Sequence, residues 1–380
     1  MDAKLTKVVL AFDSFKGSAS SMEIAEAAKE SILRLLPDCR VEIFAIADGG
    51  EGTTDAICRQ LSATKEECLV HDPLMRPLEV AYRMTADHSM AIMEMAAASG
   101  LPLVETALRN PRQTTTFGTG EMVLDAISLG CRKIVMGIGG SATNDAAVGM
   151  LTALGFRFLD ASGNETADLQ KINRVDESQV SQAVKETEFT VVCDVQNPFY
   201  GQNGAAYVYA PQKGATKEDV EYLDKGLRNF AEVVLKTKGI DLQSVPGSGA
   251  AGGMGGGLLA FLNAKLQPGI ETILKMANFE EALANASLVI TGEGRIDSQT
   301  TMGKALSGIL TMSQAQNVPV VAIGGSVESY EKVVESGFHA VLSIQNGPVS
   351  LEMAMNKEFT LENVKQTVAQ IVRLIELSKK

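Results

Sequence analysis

Six carboxylates and four cations in this sequence sit where apolar, strand-like runs give way to loops. Asp13 follows Lys7–Phe12, Asp48 and Glu51 follow Val41–Ile46, Asp194 follows Thr190–Cys193, and Glu293 and Asp297 follow Leu288–Ile290. Lys16, Lys213, Arg295 and Lys304 occupy loops of the same kind. Open α/β sheets place ligands at the carboxyl ends of their strands. Phosphoryl transfer draws on this set of groups. It needs oxygen ligands for Mg2+, a carboxylate to orient or deprotonate the attacking hydroxyl, and cations to meet the phosphoryl charge. Any one of these acids reads as a helix cap or a solvated charge. Recurrence at four strand ends favours a functional set.

Glycine-rich loops accompany the charges. Gly137-Ile-Gly-Gly-Ser-Ala-Thr-Asn-Asp145 follows a strand and precedes a helix. Gly139 and Gly140 allow close backbone approach there, and Ser141, Thr143 and the first helical amides suit an anion, with Asn144 and Asp145 adding polar contacts. The loop is neither a Walker A loop nor a G-x-G-x-x-G turn. Seven of the eleven residues from Gly247 to Gly257 are glycine, among them Gly252, Gly253 and Gly255. Glycine costs backbone entropy, so this density implies either amides facing a ligand or two backbones in contact. In Thr291-Gly-Glu-Gly-Arg295 the glycines are expected to turn the chain sharply with positive φ.

These loops must be carried by elements, and the elements alternate. A strand at Lys7–Phe12, a helix from about Ser21 to Leu36 opened by a Ser20/Glu23 capping box, and a strand at Val41–Ile46 form a βαβ unit. From about residue 64 the rhythm changes to short strand-like runs at 67–70, 78–84 and 90–95 without helices between them. A helix at 120–129, a strand at 133–136, a strand at 190–193 and an amphipathic helix at 216–237 follow, and 160–187 carries no readable period. Strand–helix alternation returns after Gly269. The economical fold is α/β in two domains. One is a Rossmann/flavodoxin-like parallel-sheet domain built from both chain ends, 1–66 and 268–380; the other is an inserted mixed-sheet α/β domain, 67–267.

Composition narrows the function. A net charge of −12 opposes nucleic acid as partner. No run approaches the roughly 18 apolar residues of a membrane span, and the amino terminus leads straight into a strand, so a cytoplasmic protein is expected. Five scattered cysteines without a C-x-x-C read as reduced thiols.

Taken together, the motifs resemble the bacterial type-1 glycerate kinase family. They are Asp13-Ser-Phe-Lys16, Ala47-Asp-Gly-Gly-Glu-Gly-Thr53, Met95-Ala-Ala-Ala-Ser-Gly-Leu101, the 137–145 loop, Cys193-Asp-Val-Gln-Asn-Pro198, Pro211-Gln-Lys-Gly-Ala215, Gly249-Ala-Ala-Gly-Gly-Met-Gly255 and Thr291-Gly-Glu-Gly-Arg-Ile-Asp-Ser-Gln299. They occur in family order over nearly the whole chain. The resemblance implies phosphorylation of D-glycerate by ATP with Mg2+, at the 2-hydroxyl, in glycerate or glyoxylate metabolism, and two α/β domains. One departure is Ala146-Ala147, where glycines are expected.

The expected division of roles places ATP and glycerate in an interdomain cleft. Lys16 or Arg295 holds the glycerate carboxylate, and Asp194 serves as base ahead of Asp297. Glu293 and Asp194 are the candidate metal ligands, although Asp194 cannot comfortably be both base and ligand. Asp13, Ser14, Asp48, Ser141, Asn144, Asp145, Lys213 and the loop glycines contact substrate or phosphate. A nicotinamide-dependent hydroxy-acid oxidoreductase is opposed by the missing G-x-G-x-x-G. A closing, non-catalytic binding protein is opposed by the number of acids beside glycine loops.

Overall fold

Val8, Leu10 and Phe12 of the first strand pack into one apolar cluster and Val9 and Ala11 into another, and all five are fully buried. Side chains alternate along a strand, so an unbroken apolar run of this kind suits a sheet covered on both faces. The computed structural model describes residues 5–15, 17–45, 63–276, 278–297, 300 and 305–377. Its strands are β1 (Lys7–Phe12), β2 (Arg40–Ala45), β3 (Thr64–His71), β4 (Pro77–Met84), β5 (Met90–Glu94), β6 (Lys133–Gly137) and β7 (Arg157–Leu159). There follow β8 (Arg174–Asp176), β9 (Glu188–Val192), β10 (Lys265–Gln267), β11 (Leu288–Ile296), β12 (Val320–Val327) and β13 (Ala340–Ser343). Contacts divide the chain into two compact units, Met1–Gln60 with Gly269–Lys380, and Leu61–Pro268.

The unit made from the chain ends carries a five-stranded sheet in the order β13-β12-β11-β1-β2, parallel throughout. Counted in chain order within the unit this is the flavodoxin-like 2-1-3-4-5 arrangement, whose topological switch lies between β1 and β11. Helices Ser21–Leu35 and Lys357–Leu377 cover one face through Ile24, Ile32, Val364 and Val368. Ile270, Leu274, Phe279, Leu306 and Ile309 cover the other. The capping box is formed: Glu23 N donates to Ser20 Oγ at 3.4 Å, and Ser20 N donates to Glu23 Oε2 at 3.0 Å.

The second unit has a mixed six-stranded sheet, β10-β9-β6-β5-β4-β3. The β3–β4–β5 pairings are antiparallel, and β5, β6, β9 and β10 run parallel. Residues 160–187, unreadable by period, contain β8 of the two-stranded β7–β8 ribbon and a one-turn helix, Gln182–Lys185, both too short to show a periodicity. Among the described residues no helix is long and apolar enough to cross a membrane.

One local expectation is corrected. The strand does not break at Thr291: β11 continues to Ile296 and pairs with β12 as far as Val327. Gly292 and Gly294 have no positive φ. A Cβ on Gly292 would lie 2.1 Å from the Ile323 carbonyl oxygen, and one on Gly325 2.6 Å from that of Gly294. The glycines there let two strands approach.

Replacing Ser20 by Ala is expected to lower stability by about 1 kcal/mol through the lost cap. Gly292→Ala is expected to cost more, because a neighbouring strand's backbone oxygen cannot step aside. Urea unfolding midpoints of the two variants against the parent check both, and an unchanged Gly292→Ala midpoint would refute the packing account.

Candidate active site

In the unit built from the chain ends, three of the six predicted acids, Asp13, Glu293 and Asp297, lie at the ends of β1 and β11. Asp13 directly follows β1, is almost fully buried, and donates its backbone N–H to the Gly292 carbonyl at 2.9 Å. Its Oδ1 accepts the Ser14 N–H at 2.6 Å, so the carboxylate is held by its own turn. Glu293, Arg295 and Asp297 recur every second residue at the end of β11, the period that puts alternate side chains on one face. Buried Thr300 joins two of them: its hydroxyl donates to Glu293 Oε1 at 2.6 Å and accepts from Asp297 N at 3.0 Å. Arg295 is exposed, 2.8 Å from Glu328 Oε2 and 3.6 Å from Asp297 Oδ2. The hydrogen bond it donates to Glu328 holds its guanidinium still more firmly in the charged form. An exposed, solvent-screened pair of this kind is weak, so Arg295 can exchange Glu328 for an anionic ligand at little cost. Lys16, Asp48, Glu51 and Lys304 lie outside the described residues.

In the inserted unit the 137–145 loop leaves the carboxyl end of β6 and is pinned on its inner side. Leu101 N donates to Gly140 O and Ala142 N to Ser99 O, each at 2.9 Å, so two separate sequence motifs become one surface. Thr114 Oγ1 donates to Ala142 O at 2.8 Å. Lys213 is buried, with Nζ 2.6 Å from both Ser141 Oγ and the Thr143 carbonyl oxygen. Burial draws its pKa down to about 7, against the opposing pull of Asp145. Gly139 and Gly140 are exposed on the outer side, and a Cβ on Gly139 would meet nothing within 4 Å.

Asp145 turns inward. Its Oδ2 accepts the Thr116 N–H at 2.9 Å, the Thr116 hydroxyl at 2.8 Å and the Gly149 N–H at 3.2 Å. Burial nevertheless pushes its carboxyl pKa up, with these hydrogen bonds opposing the rise. The Met150 N–H goes to Thr116 Oγ1 at 2.9 Å, so early amides of helix Val148–Ala153 are taken by side chains of the protein. The expected anion contact through those helical amides gives way to this internal cap. Thr143 Oγ1, both side-chain atoms of Asn144, Asp145 Oδ1 and Ser248 Oγ are buried without a protein partner.

The glycine tract is buried and presses backbone on backbone. A Cβ on Gly252 would lie 2.2 Å from Thr143 O, one on Gly255 2.6 Å from Gly247 O, and one on Gly257 2.0 Å from Ala146 O. One on Gly253 would lie 2.8 Å from the Leu227 side chain. Ala251, Gly252 and Gly253 are all left-handed. Ala146 and Ala147, the positions where glycine was expected, have φ of 50° and 64°, a conformation that glycine adopts without strain. Of the two uses proposed for the tract, contact between backbones is the one these glycines make.

Asp194 is exposed just beyond β9, one strand over from the loop. Glu94, which the sequence reading passed over, ends β5 with a carboxylate oxygen 2.1 Å from where a Cβ on Gly137 would stand. Thr116, Thr300 and Glu328 were passed over too. The run Thr114-Thr-Thr116 is a visible signal; Glu328 directly follows β12.

Strand-end acids at a flavodoxin-like switch point, and an open glycine loop backed by a buried lysine, define a two-unit α/β protein equipped for small anionic ligands. The sequence profile of the glycerate kinase family matches residues 8–376. A glycerate kinase of Halalkalibacterium halodurans is 41% identical over 373 residues, covering 97% of this chain and 98% of the relative. Glycerate 2-kinase of Escherichia coli K12 is 41% identical over 353 residues, covering 92% and 93%. A solved Salmonella typhimurium LT2 chain, provisionally named glycerate kinase 2, superposes with a TM-score of 0.83 at 39% identity, covering 99% of this chain and all of that one. The chain belongs to the glycerate kinase family and is a kinase.

The depressed lysine has a measurable consequence. Between about pH 7 and its ordinary value of 10.5, Lys213 binds fewer protons folded than unfolded, so its contribution to stability rises with pH. Wild-type stability relative to Lys213→Met is expected to increase across that window. Parallel urea titrations at pH 7 and pH 10 check the sign, and a difference that is flat or falling would be inconsistent with a desolvated ammonium.

Proposed function

We propose that this kinase transfers the γ-phosphoryl group of ATP to the 2-hydroxyl of D-glycerate, giving 2-phosphoglycerate. Supporting this most directly is the full-length similarity to relatives named glycerate kinase and glycerate 2-kinase. The chemistry of the strand ends agrees with it.

Glycerate presents a carboxylate and two hydroxyls. Arg295, exposed and paired among the described residues with Glu328 and Asp297, suits a bidentate grip on that carboxylate; Lys16 is the other candidate. Asp194, exposed at a strand end, is the proposed base, taking the hydroxyl proton as the oxygen attacks phosphorus. Asp297 is the alternative. Asp13, Ser14, Asp48, Asn144 and the outer side of the 137–145 loop are proposed to orient the substrates.

For Mg2+, the donor set fits. Glu293 and Asp194 offer hard oxygen ligands, and Mg2+ is commonly held by one or two carboxylates together with substrate phosphates. No group of three His, Cys, Asp or Glu among the described residues forms a preassembled cage, and that mode of binding requires none. When bound, the ion would neutralise phosphate charge.

ADP release on adding D-glycerate to enzyme and ATP, with product analysis separating 2- from 3-phosphoglycerate, tests the reading. Absence of glycerate-dependent ADP would sink it. Asp194→Asn is expected to lower kcat by about 100-fold or more, and near-normal turnover would remove Asp194 from the mechanism.

A further inference from the structure

We propose that Lys213 is a positioning residue that acts through Ser141, holding its hydroxyl oxygen as an acceptor so that the hydroxyl proton is offered to an anionic oxygen of the substrate. This rests on the reading that the outer side of the 137–145 loop meets substrate.

An ammonium has donors and no acceptor. In its charged form Lys213, with Nζ 2.6 Å from Ser141 Oγ, donates and the serine oxygen accepts. The serine proton therefore points away from Nζ, and among the described residues no acceptor is paired with it. The same Nζ holds the Thr143 carbonyl at 2.6 Å, which fixes the loop two residues further on. The Ala142 amide and carbonyl between them are taken by Ser99 and Thr114. The Ala142 backbone and the Thr143 carbonyl on the inner side of this turn are thus taken, while Gly139 and Gly140 beside Ser141 stay exposed.

Burial of a cation also asks for a reason. Lys213 is 2% exposed, and taking an ammonium out of water is expensive unless the charge is used. Among the described residues it makes no ion pair within 4 Å, and Asp145, the one carboxylate whose charge acts on it, is engaged with Thr116 and Gly149. A neutral side chain could brace the loop. A positive charge behind a serine hydroxyl additionally favours negative charge in front of it. The ligand chemistry is a phosphoryl or carboxylate oxygen, supplied by the nucleotide or by glycerate.

A double-mutant cycle decides it. Ser141→Ala, Lys213→Met and the double variant are compared by steady-state kinetics, with ATP and D-glycerate varied in turn, and by thermal unfolding. A hydrogen bond to a charged group leads us to expect each single change to raise the KM of the same substrate by about 10- to 100-fold. The double variant should be no worse than the poorer single one. Which KM moves tells nucleotide from glycerate. Losses that multiply in the double variant overturn the proposal, as does a Lys213→Met enzyme that melts earlier but keeps both KM values. If Lys213→Met does not fold, Lys213→Gln retains an N–H donor, and its effect on KM must likewise vanish in the Ser141→Ala background. An active enzyme indifferent to Ser141→Ala would refute the loop contact itself. Wild-type protein without glycerate-dependent turnover would refute the proposed reaction before any variant is compared.

Discussion

The approach of two backbone segments, Thr143–Ala147 and Gly252–Gly257, is the constraint on which the inserted unit depends. Thr143 O, Asn144 Cα and Ala146 O lie where the Cβ atoms of Gly252 and Gly257 would otherwise be, and the Ala146 N–H donates to Gly252 O at 3.1 Å. Side chains cannot be accommodated at that distance. The loop after β6 is therefore built on a rigid backbone floor, with Lys213 and Asp145 closing its inner side. The exposed side of this loop is the backbone of Gly139 and Gly140. A loop held in this way loses little entropy on binding, which is how positioning is converted into rate.

The other unit solves a similar problem with less material. Its sheet changes direction of strand addition between β1 and β11, and the helices covering the neighbouring strands diverge there. The acids at that point are braced locally, Asp13 by its own turn and Glu293 with Asp297 through Thr300. Arg295 is the contrasting member, exposed and paired with Glu328 and Asp297. Fixed acids beside a recruitable cation suit a substrate that arrives with a carboxylate and must present a hydroxyl.

Much of this was legible in the chain. The apolar run at Lys7–Phe12, the Ser20 cap and the amphipathic helix after Thr216 appear within a residue or so of where local physics places them. The departures share a cause. β11 runs through two glycines, and the 247–257 tract presses backbone on backbone, because a glycine's φ and its neighbours are set by the approaching backbone. Local spacing carries no record of that neighbour. Lys213 shows the same limit: its type and its loop were plain, but only burial shows that its amine reaches a serine oxygen and a carbonyl from within.

The sequence by itself determined the family, the two-part α/β organisation and the roster of polar groups, because those are written in residue types, their order and their period. The tertiary structure alone decided which groups work together and which way each faces. It paired Thr300 with Glu293, Thr116 with Asp145 and Lys213 with Ser141 across 7, 29 and 72 positions of chain. Hydrogen bonds of that reach depend on where packed strands end and how closely their backbones approach, and on nothing that neighbouring residues share.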